Sequence, residues 1–142
     1  MAANNFLKWA AWAPRVRSIL RIAAAFMFMA HGTMKLFAFP VGVPPKGVTV
    51  VLLSQSGLGG ILETFGGLLL LLGLFTRPVA FILAGEMAVA YFQFHFPRGF
   101  WPLLNQGELA ALYCFLWLYF SAAGPGPWSL DALRAKKKVG AA

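Results

Sequence analysis

Acidic residues are nearly absent from this chain: Asp and Glu together number 4, against 12 Lys and Arg, in 142 residues. Cysteine is scarcer still, with Cys114 alone. That excludes a disulfide framework, a C-x-x-C couple and a thiolate set for zinc or an iron–sulfur cluster. Charged residues of both signs reach only 11%, hydrophobic ones 60%, and mean hydropathy is +0.72. Such a balance does not keep a globular domain in water, and it defines an integral membrane protein. At about 20 residues per span there is room for about four spans and no second domain. The formal charge of +8 raises nucleic-acid binding, but the basic residues gather near the two ends instead of striping one module, so no nucleic-acid partner is expected. Phosphate-binding glycine loops and serine nucleophile motifs are also missing.

What is present is a set of long apolar runs separated by proline and glycine. Positive residues before the run Ile19 to Ala30 resemble a signal peptide, yet His31 and Lys35 interrupt the run and no small-x-small cleavage site follows, so the first span is expected to be retained. Residues 1–17 are read as an N-terminal interfacial segment, amphipathic around Phe6, Leu7, Trp9 and Trp12, with Pro14 redirecting the chain. A four-helix membrane domain follows over 18–123, with spans at about 18–39, 54–75, 78–96 and 105–122. Pro40, Pro44 and Pro45 form a loop; Thr76-Arg77-Pro78 forms a tight turn; Pro97, Gly99 and Pro102 break the chain again. Residues 124–142, with Arg134 and Lys136 to Lys138, form a basic tail. The fold class is therefore an all-α membrane bundle of four transmembrane helices, and the distribution of Lys and Arg puts both termini in the cytoplasm. Trp9, Trp12 and Trp128 would mark the inner interface and Trp101 the outer one.

Three glutamates, Glu63, Glu86 and Glu108, fall inside the apolar spans. An intramembrane carboxylate is expensive, and it marks a working site unless it is merely paired. At a rise of about 1.5 Å per residue, His31 and Glu63 lie about 12 Å below the outer ends of their spans. Lys35 stands one turn above His31 on the same face, and Glu108 enters the fourth span near that level. His31, Lys35, Glu63 and Glu108 are thus expected to form an outer-half cluster in which Lys35 neutralises one carboxylate and another exchanges protons. Gly59, Glu63 and Gly66 share a face, with Gly60 and Gly67 beside them, so Glu63 is expected to point into a closely packed bundle. Lys35 and Glu108 also have a structural reading as an interfacial ion pair, and His95 one as an interfacial histidine. Glu86 is expected nearer the cytoplasmic half, as a second proton station or a satisfied interior group.

A haem between His31 and His95 is disfavoured, since their estimated depths differ by about 8 Å. A metal on His31, Glu63 and Glu108 would lack the Glu-x-x-His spacing of di-iron bundles, and no metal is expected.

Together the landmarks resemble the DoxX family of small four-helix membrane proteins. The residues that carry the resemblance are His31-Gly32-x-x-Lys35-Leu36, Gly59-Gly60-x-x-Glu63-x-x-Gly66-Gly67 and Gly73-Leu74-Phe75-Thr76-Arg77. Asn105-Gln106-Gly107-Glu108 and Gly124-Pro125-Gly126-Pro127-Trp128-Ser129-Leu130-Asp131 continue it, so that it covers about residues 18 to 133. The family takes its name from a subunit of a membrane thiosulfate:quinone oxidoreductase, and other members are described in complexes with soluble redox enzymes. The resemblance therefore implies an inner-membrane, redox-associated subunit, with soluble redox enzymes as partners and a quinone, or a similar lipophilic molecule, as ligand. Glu63 and His31 would then exchange protons, and Lys35, Glu108, Glu86 and His95 would contact the substrate. Two other readings stand beside this one: a solute or proton carrier with Glu86 as its inner station, and a scaffold for soluble enzymes. The lack of an internal repeat counts against the carrier.

Overall fold

A computed structural model describes residues 10–140; most of the amphipathic segment expected at the N-terminus lies outside them. Helix α1 spans Ala13–Phe37, with Pro14 in its first turn, where a missing N–H costs nothing. Helix α2 spans Gln55–Leu72. Ser54 caps it by accepting a hydrogen bond from the Gly57 N–H at 3.1 Å, and Gly73 ends it in the left-handed region at φ 66°. Helix α3 spans Thr76–Arg98, a short α4 covers Pro102–Asn105, α5 covers Glu108–Ala123 and α6 covers Leu130–Val139. No strand occurs among the described residues; Val43 and Val48 form one isolated bridge in the α1–α2 loop.

Helices α1, α2 and α3 are each long and apolar enough to cross a bilayer, at 25, 18 and 23 residues. Helix α5, with 16 residues, is shorter. The four pack as a ring: α1 on α2, α2 on α3, α3 on α5. Phe28 closes the ring by meeting Tyr113 and Trp117 of α5 edge-on, at centroid distances of 4.9 and 5.3 Å. Small residues on α1 and α3 (Ala24, Ala25, Ala80, Ala84) face the bulky Tyr113, Trp117 and Phe120, and Leu70, Leu83 and Met87 complete a dry core. Phe26, Met27, Phe81, Ile82, Leu112 and Phe115 are exposed. Apolar residues on the outside of a ring of apolar helices are what a lipid environment requires.

Glycine sets the spacing. A Cβ on Gly60 or Gly67 of α2 would press on Lys35 and Leu36, or on Met29, of α1, and one on Gly66 would press on Leu83 of α3. In return Gly32 of α1 lies against the backbone of Gly60 and Thr64. The two glycine rows expected from the sequence thus serve two different neighbours.

At the near end of the bundle, where α1 begins and α5 ends, polar groups tie the elements together. The Asp131 carboxylate accepts hydrogen bonds from the Phe75 and Thr76 N–H groups, both at 2.9 Å, and so caps α3 from far along the chain. Arg21, two turns into α1, is fully buried. It donates to Leu70 O at 3.0 Å, in the last turn of α2, and to Trp128 O at 2.5 Å. The segment expected as a basic tail therefore begins with residues docked on the α2–α3 turn and continues as α6.

Gly32→Val is expected to destabilise the protein in detergent by about 1–3 kcal/mol, because backbone atoms at Thr64 and Gly60 have no rotamer with which to yield. Gly85→Ala, whose Cβ meets nothing within 4 Å, is expected to be neutral or stabilising by up to about 1 kcal/mol. Thermal unfolding of the two variants checks the pair.

Candidate functional site

Helices α1 and α2 run antiparallel, and side chains on a helix lean toward its N-terminus. Lys35 on α1 therefore leans into the bundle while Glu63 on α2 leans toward the far end, and the two meet: Lys35 Nζ donates to Glu63 Oε1 at 2.7 Å. The Glu63 side chain is 5% exposed and that of Lys35 25%. Glu63 sits in a π-helical turn, Leu62–Gly66, which interrupts α2. A second such turn, Tyr91–His95, lies near the far end of α3. Single π turns often accompany functional sites because they re-aim one side chain without ending the helix. Both border the same cavity.

That cavity has a volume of about 610 Å³. Its walls are mostly apolar, from Leu58, Leu62, Met87, Val89, Phe94 and Tyr113 among others. Its polar groups are His31 and Lys35 of α1, Gln55, Ser56 and Glu63 of α2, Glu86 and His95 of α3, and Gln106 of the α4–α5 turn. Gly59 forms part of the floor: the position of an added Cβ there lies 3.3 Å from Glu86 Oε1 and 3.7 Å from Lys35 Nζ. Lys35, the ion-pair partner of Glu63, and the Glu86 carboxyl thus border the same small space over Gly59. Glu63 Oε2 and Glu86 Oε2 are both buried with no hydrogen-bond partner, an expensive state for two oxygens in one site unless something else binds there.

Of the residues singled out in the sequence, His31, Lys35, Glu63, Glu86 and His95 all line the cavity. Glu86 departs from the depth expected of it. It lines the same cavity as Lys35 and Glu63, because the missing side chain of Gly59 lets its carboxyl lie across α2. Glu108 departs the other way. The sequence predicts a helix starting at Asn105, but Gln106 turns left-handed at φ 61° and α5 starts only at Glu108. Glu108 is exposed in the first turn of α5 and is not among the cavity residues. There its charge suits the helix N-terminus.

The same turn presents Gln106 to the cavity, which the sequence reading missed. Buried Asn105 builds it: Nδ2 donates to Gly99 O at 2.7 Å, Oδ1 accepts from the Gly107 N–H at 2.8 Å, and its backbone carbonyl lies 3.2 Å from His95 Nδ1. At the rim Gln55 donates to Gln93, bridging α2 and α3. Tyr113, one turn inward from Ala110, was also missed; their spacing on α5 is the one sign the sequence gives. No group of three or more His, Cys, Asp or Glu suited to a metal occurs among the described residues.

Fold and site define a small multi-pass helical membrane protein whose bundle holds an apolar cavity with a charged floor. Residues 16–96 match the DoxX family model, and the chain belongs to the DoxX family. A Haemophilus influenzae protein described as uncharacterized is 44% identical over 141 residues, covering 94% of this chain and 99% of its own length. The Escherichia coli inner membrane protein YqjF is 30% identical over 129 residues, covering 84% of this chain and 92% of its own. No solved structure matches. Family, relatives and apolar helices together locate the chain in the inner membrane as a multi-pass protein.

Asn105→Ala would leave Gly99 O and the Gly107 N–H without their side-chain partner. A loss of about 1–3 kcal/mol is expected, together with faster hydrogen exchange confined to residues 99–107, read by mass spectrometry.

Proposed function

We propose that the cavity binds a small lipophilic molecule with a polar, proton-exchanging head group, a quinone being the best fit, and that the protein serves a redox system in this way. The observation that carries the reading is the convergence of Lys35, Glu63 and Glu86 on one floor beneath apolar walls. Sites for small molecules are mostly apolar clefts of about 300–1,000 Å³ with a few convergent polar groups, and about 610 Å³ falls within that range. Glu63 and Glu86, which line the cavity, supply the polar contacts such a head group needs.

In this reading all four long helices cross the membrane, with both termini cytoplasmic and the cavity in the outer half. Exposed Trp12 and Trp128 then mark the inner interface and Trp101 the outer one. Lys35, Glu86, His95 and Gln106 hold the head group. Glu63, with His31 beside it in the cavity wall, holds and passes the proton, since a carboxyl in contact with both a cation and the ligand has two ways to balance its charge. A quinone supplies electron transfer coupled to proton uptake; this chain contributes position, water exclusion and the proton path. Electrons would come from a soluble redox enzyme, as the family resemblance implies.

A lysine paired with one carboxylate, with a second carboxyl group on the other side of Gly59, also suits a proton-coupled carrier. Against that stands the packed layer of Phe28, Leu83, Tyr113 and Trp117 on the near side of the site, which offers no continuous polar route.

Decylquinone titrated into the purified protein is expected to bind saturably. Glu63→Gln and Glu86→Gln should each weaken it about tenfold or more, Gly59→Leu should abolish it by filling the floor, and Glu108→Gln should leave it unchanged. A lack of saturable binding, or equal binding by all variants, overturns the reading; proton flux in liposomes lost in Glu86→Gln would select the carrier.

A further inference from the structure

Independently of the cavity, a second hollow of about 470 Å³ lies at the near end between α1 and α5, lined by Trp12, Ala13, Val16, Arg17, Leu20 and Tyr119. Trp12, Val16 and Leu20 recur every four residues and form one stripe about 12 Å long from the start of α1 into the span. All three are exposed, and Tyr119 faces them from α5. The hollow therefore has an apolar floor that continues along the depth of the membrane and an aromatic rim at its surface end.

The charged side chains on and beside the hollow, Arg17 and Arg15, are both basic. Arg17 Nη1 donates to Ala123 O at 2.7 Å, while its Nε is buried with no partner. The Arg15 guanidinium stacks over the Trp12 ring at 5.2 Å. Among the described residues the one salt bridge is Lys35–Glu63, so neither arginine has a carboxylate counter-ion. A guanidinium at a membrane surface with no acidic partner is matched by phosphate, which it can bind through two nitrogens.

We propose that this hollow is a binding site for one anionic phospholipid of the leaflet at which α1 begins. Its phosphate pairs with Arg17 and Arg15 beside the Trp12 ring, and one acyl chain lies along Val16 and Leu20 against Tyr119. A lipid held there bridges the start of α1 and the end of α5, reinforcing the single Arg17–Ala123 hydrogen bond that now links them. The occupant is distinguished from general lipid contact by the paired arginines, and from the lysines of α6 by its place on α1.

The test is native mass spectrometry of the full chain titrated with phosphatidylglycerol or with phosphatidylcholine of the same acyl chains. One phosphatidylglycerol should be retained with about a tenfold preference, given the contribution of each basic residue near an anionic surface. The double variant Arg15→Gln, Arg17→Gln should bring the preference close to one. Because that variant also removes the bond to Ala123, Val16→Trp serves as its partner: it fills the hollow from an exposed position, leaves that bond intact, and should lower retention equally. Lys137→Gln with Lys138→Gln should leave retention unchanged. Equal retention of the two lipids, retention unaffected by Val16→Trp, or dependence on the α6 lysines alone would overturn the proposal. A dimer lost in Val16→Trp would also overturn it, assigning the hollow to a second copy of the chain.

Discussion

Removing Lys35 and Glu63 from water costs several kcal/mol per ion, and a single ion pair seldom recovers all of it. Here the pair forms at 2.7 Å with Glu63 almost fully enclosed, and Glu86 approaches the same lysine. A bundle built only for stability would place apolar side chains at those positions, as the near side of the ring does around Phe28 and Trp117. The arrangement of the far half follows from accommodating these charges. Helix α2 carries glycine on both sides so that α1 can bring Lys35 in and α3 can lay Glu86 across Gly59. The π turn at Leu62–Gly66 aims Glu63 at the lysine, and the cavity is the space left where the helices part around the group.

The near end meets a different constraint. Helix ends leave carbonyls and N–H groups unpaired, and where they are buried against other parts of the chain they need protein partners. Arg21 supplies donors to the end of α2 and Asp131 supplies acceptors to the start of α3. Arg17 and Arg77 both donate to the last carbonyls of α5. At the far end the Asn105 side chain and the Gly107 N–H bond to Pro102 O hold the turn that presents Gln106.

Much of this is legible in the sequence. The apolar runs announce long apolar helices, and the glycines at positions 59, 60, 66 and 67 announce close packing around Glu63. Pairing of Lys35 with a carboxylate follows from their depths. The errors come from treating helices as uniform rods. Counting 1.5 Å per residue cannot show that Glu86 reaches over a missing side chain, or that two π turns re-aim the residues they contain. A helix starting at Asn105 would carry Glu108 inward, but Asn tolerates turns and Gly107 follows directly, so the helix starts only at Glu108. An arginine near a span end usually reaches the surface, but Arg21 is buried. Its burial depends on Trp128 and Leu70, and no local pattern announces partners so distant in sequence.

The central claim is that the charged floor serves a ligand and not the fold. Replacing Lys35, Glu63 and Glu86 together by Met, Leu and Leu removes the charges while keeping the volume, so no single ion is stranded. Thermal stability and decylquinone binding measured on this one variant decide the matter. The account predicts a protein as stable as the parent, or more so, that binds no quinone. A variant that fails to fold, or that folds and binds as the parent does, would contradict it.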